Sequence, residues 1–489
     1  MAKENLKKYL KKYWLVLILI LVILLRLPSL FEPFTYGDEG VYLTLGQAIR
    51  RGSILYRNIH DNKPPLLYLI AALAGSFSYF RLILFLWSLA TIYFFKKLAE
   101  LLFKQEKGVI TATLTFTILT SIHTFEGNVA NAENFLIGTS ILGFYLLLSQ
   151  KKAFWKFLLA GFFFSLSTLF KIPGAFDFLA ALIVIFFLEK TTLRSALKSS
   201  ISAHFWLTIL GFIIPLSLSL VYFQFQGALK EYLIAAFSQN IPYLSSWSSS
   251  RPQMAGLPLP LITRALLVLI IISFLFSFRK RLTRPLLVAT SWFSFALFAA
   301  LLSSRPYPHY LLQVLPGFAL AFGLITTKTK EKFLPILSLI ILLFTFAGFR
   351  FYFYPNYAYY SNFYQYFLQF KDKESYFASF DSQANNLYQT ATFIKARSQK
   401  KEPIFIWSNQ PSLYALIDRP VIGRYTVAYH IIDFNGYQET IIHLKEASPQ
   451  YIIIDQNEKR PFPELFNWLE QKYLLEKQIG NFQIYHHIL

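Results

Sequence analysis

"YGDEGVYLTLGQAIRRGSILYRNIHDNKPPLLYLI", residues 36–70, decides how this chain reads. It follows the first long apolar run and sets two adjacent acids, Asp38 and Glu39, where the chain leaves that run. After them Val41, Tyr42, Leu45, Ala48 and Ile49 recur at helical spacing. That predicts an amphipathic helix over 39–51 lying along an interface. Asp38 would cap this helix and Glu39 would favour its dipole. A capped carboxylate is also a positioned one, so Asp38 and Glu39 are candidate catalytic residues. Further on, Pro64 forces Lys63 out of the helical region and Pro65 suits the first turn of the next helix. Lys63 is then either a lysine snorkelling to the interface or a phosphate ligand at a helix entrance. The company of Asp38, Glu39, His60 and Asp61 favours the phosphate.

The surrounding chain has 489 residues, 55% of them hydrophobic, and no cysteine. Its mean hydropathy is +0.43. A soluble protein of this size cannot hide that much apolar surface in one core. Many apolar runs also reach the length of about 18 residues that spans a bilayer. The expected fold is an all-α polytopic membrane bundle, with interfacial helices in the first external loop and a small C-terminal α/β domain. The net charge of +21 raises nucleic acid as a partner. Its distribution argues against that, because most Lys and Arg lie in short clusters between apolar runs. Lack of cysteine excludes structural disulfides and cysteine-based metal sites. The start, MAKENLKKYLKKYW, then apolar to about Pro28, has no small-residue cleavage site after it. It reads as a retained first span with a cytoplasmic N-terminus.

Further apolar runs fall at about 64–80, 82–98, 108–123, 134–149, 155–170, 174–188, 203–222, 261–278, 285–302, 309–326 and 333–350. If 64–80 crosses, most basic clusters fall outside. If it does not, Lys96–Lys107, Lys151–Lys156, Lys190–Lys198, Arg279–Arg284 and Lys328–Lys332 all fall inside. The second arrangement obeys the positive-inside rule and gives about eleven spans, with the C-terminus outside. Residues 31–81, 124–133, 223–260, 303–310 and everything past about 351 are then external.

Residues 1–350 therefore form the membrane domain and 351–489 an external one. In the latter, FRFYFYPNYAYYSNFYQYF reads as an interfacial aromatic belt. Helix-like segments at about 384–399, 436–446 and 463–473 then alternate with strand-like runs at 403–407, 451–455 and 482–488. That alternation indicates a small α/β domain.

Other polar residues interrupt the apolar runs. Glu126 and Glu133 share a loop too short to need two acids for solubility; either is a candidate second carboxylate, and Glu133 is carried. Lys171, in LFKIPG, is a cation at a Pro/Gly break, which normally faces a cavity or a bundle interior. Arg305, His309 and Tyr310, in SRPYPHY, are either interfacial anchors or a clamp on a lipid phosphate. Carboxylates for a base and cations for a phosphate, next to lipid, suit a polyprenyl-phosphate sugar. Cations stabilise the departing phosphate, and a carboxylate activates the attacking hydroxyl.

These motifs carry a resemblance. The 36–70 stretch resembles the first external loop of GT-C glycosyltransferases, in the branch of protein O-mannosyltransferases and the lipid A aminoarabinose transferase. RPYPHYLLQVLP looks like that family's "HY…P" segment, and LFKIPG like its Lys-containing span. The resemblance covers about 1–350. It implies Asp38 as base, Lys63 at the donor phosphate, and transfer from a polyprenyl-phosphate sugar, mostly with inversion. Lys171, Arg305 and His309 join the phosphate-binding candidates. No obligatory cofactor is expected, and a divalent metal is left open. The acceptor, whether glycan, lipid or protein, is not readable, although no appended sugar-binding module supports a protein. Expected partners are membrane lipids and the lipid-linked sugar, not nucleic acid. Two other readings compete. A lipid-sugar flippase would also use interfacial cations and an intramembrane lysine, but no paired broken helices or repeated halves are evident. A scaffold would leave the acid pair and Lys63 idle.

Overall fold

The computed structural model describes residues 2–149, 153–189, 203–241, 261–279, 282–303, 305–327 and 333–488. The clusters Lys190–Lys198 and Lys328–Lys332, parts of Lys151–Lys156 and Arg279–Arg284, and half of the 223–260 loop lie outside them. The chain divides into two compact units, each assembled from three segments.

The first unit comprises Met1–Leu27, Leu84–Tyr222 and Gln239–Asn356. Its helices follow the apolar runs: α1 Ala2–Arg26, α4 Phe77–Leu102, α5 Glu106–Leu119, α6 Ala132–Leu148, α7 Phe154–Phe170 and α8 Gly174–Glu189. Helices Ala203–Phe225, Leu261–Ser277, Arg284–Ala300, Leu315–Gly323 and Phe333–Gly348 continue the series. Among the described residues, four segments are long and apolar enough to cross a membrane: Tyr13–Leu30, Phe77–Leu102, Ala203–Phe225 and Pro308–Thr326. The bundle is thus helical and rich in apolar spans, while the expected count of eleven crossings exceeds these four. One packing device is explicit. A Cβ on Gly161 would lie 2.0 Å from the Thr208 carbonyl oxygen, and one on Gly211 would lie 1.9 Å from that of Leu158. Helix α7 and Ala203–Phe225 therefore touch backbone to backbone, as small residues allow between apolar helices.

The second unit comprises Pro28–Ile83, Phe223–Ser238 and Tyr357–Leu489. The 64–80 run yields α3, Leu66–Ala74, of nine residues. At about 1.5 Å per residue it reaches about 14 Å, short of the ~30 Å hydrocarbon core. Gly75 ends it with φ +68°, and α4 starts at Phe77, ahead of the expected 82.

Helix α2 spans Gly37–Arg50, and two expectations about it are corrected. Its N-cap is Tyr36, in extended conformation, so Asp38 already lies inside the first turn and caps nothing. Nor does it keep a half-exposed amphipathic face: Glu39 through Ala48 are all buried. The reason is packing on two sides. A Cβ on Gly46 would lie 2.5 Å from the Ala71 backbone, and one on Gly40 would lie 2.5 Å from the Ser412 nitrogen. Glycine lets α3 and the short helix Ser412–Ile417 close on α2 together.

The C-terminal part holds a four-stranded sheet of order β1-β2-β4-β3: β1 Ile404–Trp407, β2 Tyr451–Asp455, β3 Tyr473–Ile479 and β4 Phe482–His487. β1 and β2 are parallel; the remaining pairs are antiparallel. Three strands and the helices Ala384–Arg397, Tyr437–Ala447 and Pro463–Lys472 follow the sequence reading, whereas β3 was not expected. The aromatic stretch expected as a belt forms the helix Asn356–Phe367, which buries Tyr359 and Phe363.

Candidate functional site

Within the second unit, α2 and the loop before α3 build one connected polar group. Asp38 Oδ2 accepts a hydrogen bond from the Tyr42 hydroxyl at 2.9 Å. The Lys63 ammonium lies 4.9 Å from the centre of the Tyr42 ring and 3.6 Å from Asp61 Oδ2. The loop backbone is fixed by two tyrosines. Tyr56 donates to the Lys63 carbonyl at 2.7 Å, and the Lys63 N–H donates to the Tyr68 hydroxyl at 3.2 Å. Tyr68 in turn donates to Asp61 Oδ2 at 2.8 Å.

Asp61 is buried, which raises its affinity for a proton. Lys63, then His430, the Tyr68 hydroxyl and the Asn62 N–H outweigh that and hold its pKa down at about 2. His430 Nε2 stands 3.9 Å from Asp61 Oδ1, but burial holds the imidazole below its ordinary pKa and therefore neutral at pH 7. At neutral pH the cation facing Asp61 is thus Lys63. His60 lies edge-on to His430, Tyr425 and Phe434, so the tail segment 425–434 completes this group.

Glu39 points elsewhere. It is fully buried and pairs with Arg81, at 2.7 Å from Nη2 and 3.1 Å from Nε. Arg81 also donates to the carbonyls of Ser29, Glu32 and Pro33. One guanidinium, in the part of α4 before Leu84 that belongs to the second unit, therefore ties α2 to the segment 29–33.

The first unit gathers a second group. Glu133, in the first turn of α6, pairs with Lys171. Lys171 follows α7 in extended backbone, and Pro173–Gly174 then start α8, so the Pro/Gly break is real. Its ammonium stands 3.9 Å from the centre of the Tyr310 ring. Glu126, in left-handed backbone with φ +53°, bonds His309 Nδ1 at 2.5 Å. Both acids of the 124–133 loop are thus buried and matched by cationic or imidazole groups. Arg305 is exposed, next to the buried Pro306 and four residues before His309. Deeper in the bundle Asp177 accepts from Ser140 at 2.6 Å and from Gln313 at 3.0 Å.

Among the described residues, no group of three or more His, Cys, Asp and Glu could hold a metal ion.

No family model and no curated protein matches the sequence. The structure is similar to that of ArnT from Cupriavidus metallidurans bound to undecaprenyl phosphate. Identity is 12%, the TM-score is 0.59, and 97% of this chain and 98% of that one are covered. The apo state of the same protein gives 13% identity, a TM-score of 0.56 and 98% coverage of both chains. ArnT is a GT-C membrane glycosyltransferase. The chain has the GT-C fold.

In this GT-C fold the candidates separate by unit. Asp38, Glu39 and Lys63 fall in the second, and Glu133, Lys171, Arg305 and His309 in the first. Four further residues escaped the sequence reading as site residues: Tyr42, Tyr68, Arg81 and His430. Tyr42 had a signal, since it follows Asp38 by one helical turn. Arg81 sits at the edge of an apolar run, where a charge can be noticed. His430 had none, because only folding brings it to Asp61.

Proposed function

We propose that the protein is a multi-pass glycosyltransferase of the cell membrane. It moves a sugar from a polyprenyl-phosphate donor to a hydroxyl acceptor on the outer face, with inversion. The observation that carries the reading is the gathering of a partly exposed carboxylate and a partly exposed ammonium on one tyrosine, Asp38 at the Tyr42 hydroxyl and Lys63 over the Tyr42 ring. The full-length likeness to ArnT, a structure solved with undecaprenyl phosphate, supports it and does not favour the transport reading.

In this reading Lys63 binds the donor phosphate, exchanging part of its attraction to Asp61 for the phosphate oxygens. Asp38 takes the proton of the acceptor hydroxyl. The acceptor oxygen bonds to the anomeric carbon, while the bond from that carbon to the phosphate oxygen breaks. The electron pair leaves on the polyprenyl phosphate, where Lys63 stabilises it. Asp61 orients Lys63, and Glu39 holds α2 through Arg81, so Glu39 is a positioning residue. Lys171, Arg305, His309 and Glu133 remain candidates in the first unit. Lys171 and His309 are each matched by a carboxylate, so phosphate binding there requires a partner exchange.

The test is incubation of the purified full chain with a polyprenyl-phosphate sugar and fractionated cell-envelope acceptors. Glycosyl transfer consumes donor and releases polyprenyl phosphate. Donor recovered chemically intact, but moved across a vesicle membrane, would establish transport instead.

A further inference from the structure

The parallel strands β1 and β2 end in the loops 408–410 and 456–458. The β3–β4 turn joins them, with Gln456 N–H donating to the Asn481 carbonyl at 2.8 Å. These loops, with Gln383 beside them, line a half-open cavity of about 150 Å³ in the C-terminal part of the chain. Its wall carries five amides, Gln383, Asn409, Gln410, Asn457 and Asn481, and two carboxylates, Asp455 and Glu458. It belongs to none of the groups described above. Its place is nonetheless one that α/β sheets use for ligands: the carboxyl ends of parallel strands, where strand direction changes.

The hydrogen bonding within the wall is well defined. Asp455 is buried at the end of β2 and accepts from the Ser408 hydroxyl at 2.7 Å, from the Asn457 N–H at 2.9 Å, and from the Asn481 amide. Glu458 accepts from the Asn409 amide and lies 3.3 Å from Arg460 Nη1. The Asn481 amide oxygen is itself buried, with no hydrogen-bond partner among the described residues. A buried acceptor left without a donor is costly.

We propose that this cavity binds the hydroxyl face of one neutral sugar unit. Planar amides and carboxylates can each bridge two neighbouring hydroxyls, which a sugar ring presents and most other small molecules do not. The charge balance, two acids against one guanidinium, repels phosphates and sugar acids. The volume equals about five waters, enough for one ring rather than a chain. A hard cation fits less well. It wants six to eight oxygen ligands, whereas the Asn409 and Asn481 side chains turn their N–H groups toward the two carboxylates. Those amide orientations follow from the acceptors they face.

The test uses the full chain in detergent micelles, titrated separately with glucose, mannose, galactose, arabinose and calcium chloride. Binding is read by saturation-transfer NMR and calorimetry. At least one neutral sugar is expected to bind with a dissociation constant of about 1 mM. Asn457→Trp is an exposed rim change that should leave thermal unfolding unaltered, and both it and Asn409→Ala should weaken that sugar by about tenfold or more. The proposal is overturned if calcium alone binds, if no sugar binds well above that concentration, or if neither variant changes sugar binding. Because binding is read directly, the outcome is independent of whether the chain transfers sugar.

Discussion

Tyr42 donates its hydroxyl hydrogen to Asp38 across one turn of α2, at 2.9 Å. The helix itself sets this pair, so Asp38 keeps its orientation without serving as a cap. Asparagine can accept the same hydrogen bond but cannot take a proton. Asp38→Asn should therefore fold and bind donor normally, yet transfer sugar about 10² to 10⁴ times more slowly. Initial transfer rate, measured beside donor binding, checks it; near-normal turnover would return the search for a base to Glu39, Glu126 and Glu133.

Lys63 is the cation facing Asp61 at neutral pH. Lys63→Ala should lower the transfer rate by about a hundredfold or more, the usual effect of removing a stabiliser of developing charge. Lys63→Arg should restore only part, because a planar fork does not replace a compact ammonium. The same pair of changes at Lys171 provides the comparison within the first unit. An unchanged rate for Lys63→Ala would make Lys63 a membrane anchor.

Glu39 and Arg81 predict a different phenotype. Arg81→Met leaves the fully buried Glu39 without its cation, a change that typically costs about 3–5 kcal/mol. The loss should appear as a lower unfolding temperature of the purified chain. Glu39→Gln should be milder, since Arg81 keeps its three carbonyl acceptors. Activity per folded molecule should fall less in Glu39→Gln than in Asp38→Asn.

Acid should weaken the second unit in two steps. His430 has a folded pKa below its unfolded value of about 6.5, so the unfolded chain takes its proton first. Stability should decline as pH falls below about 6.5. Asp61, held at about 2, contributes roughly 2 kcal/mol above its unfolded pKa and loses it as pH falls toward about 2. His430→Phe should flatten the first step and leave the second. Urea unfolding across pH 1.5–7 measures both; an unaltered upper step in His430→Phe would assign it to another group.

The sequence exposed much of this architecture because membranes and buried strands leave simple signatures. The apolar runs became helices, and IFIW and YIIID became the fully buried β1 and β2. β3 did not show, because YLLEKQI buries only its two ends and has no alternating apolar face. The first turn of α2 was misread by one residue pair, since Tyr36 offers no side-chain cap to announce the start. The loop chemistry at Asp38, Asp61 and Lys63 was visible as residue types. Their pairing was not, because Tyr42 and Tyr68 read as apolar helix positions. The partnership of His60 and His430 depends on a chain closure too long for any local pattern to encode.

Helix α2 hydrogen-bonds to residues made far later. Thr44 donates to the Pro411 carbonyl, Gln47 to that of Ala415, and the Arg424 carbonyl accepts from the His60 N–H. At about 5–20 residues per second, a ribosome needs roughly 20–70 s to supply these partners. Throughout that interval the acid pair and Lys63 have only their near neighbours, α3 and Arg81 among them, and lack the tail that packs on the other side of α2. A nascent chain should therefore acquire its reactive loop last, although it is translated almost first. Stalled or truncated products would be inert by construction, and a chaperone holding the early loop would have a defined moment of release.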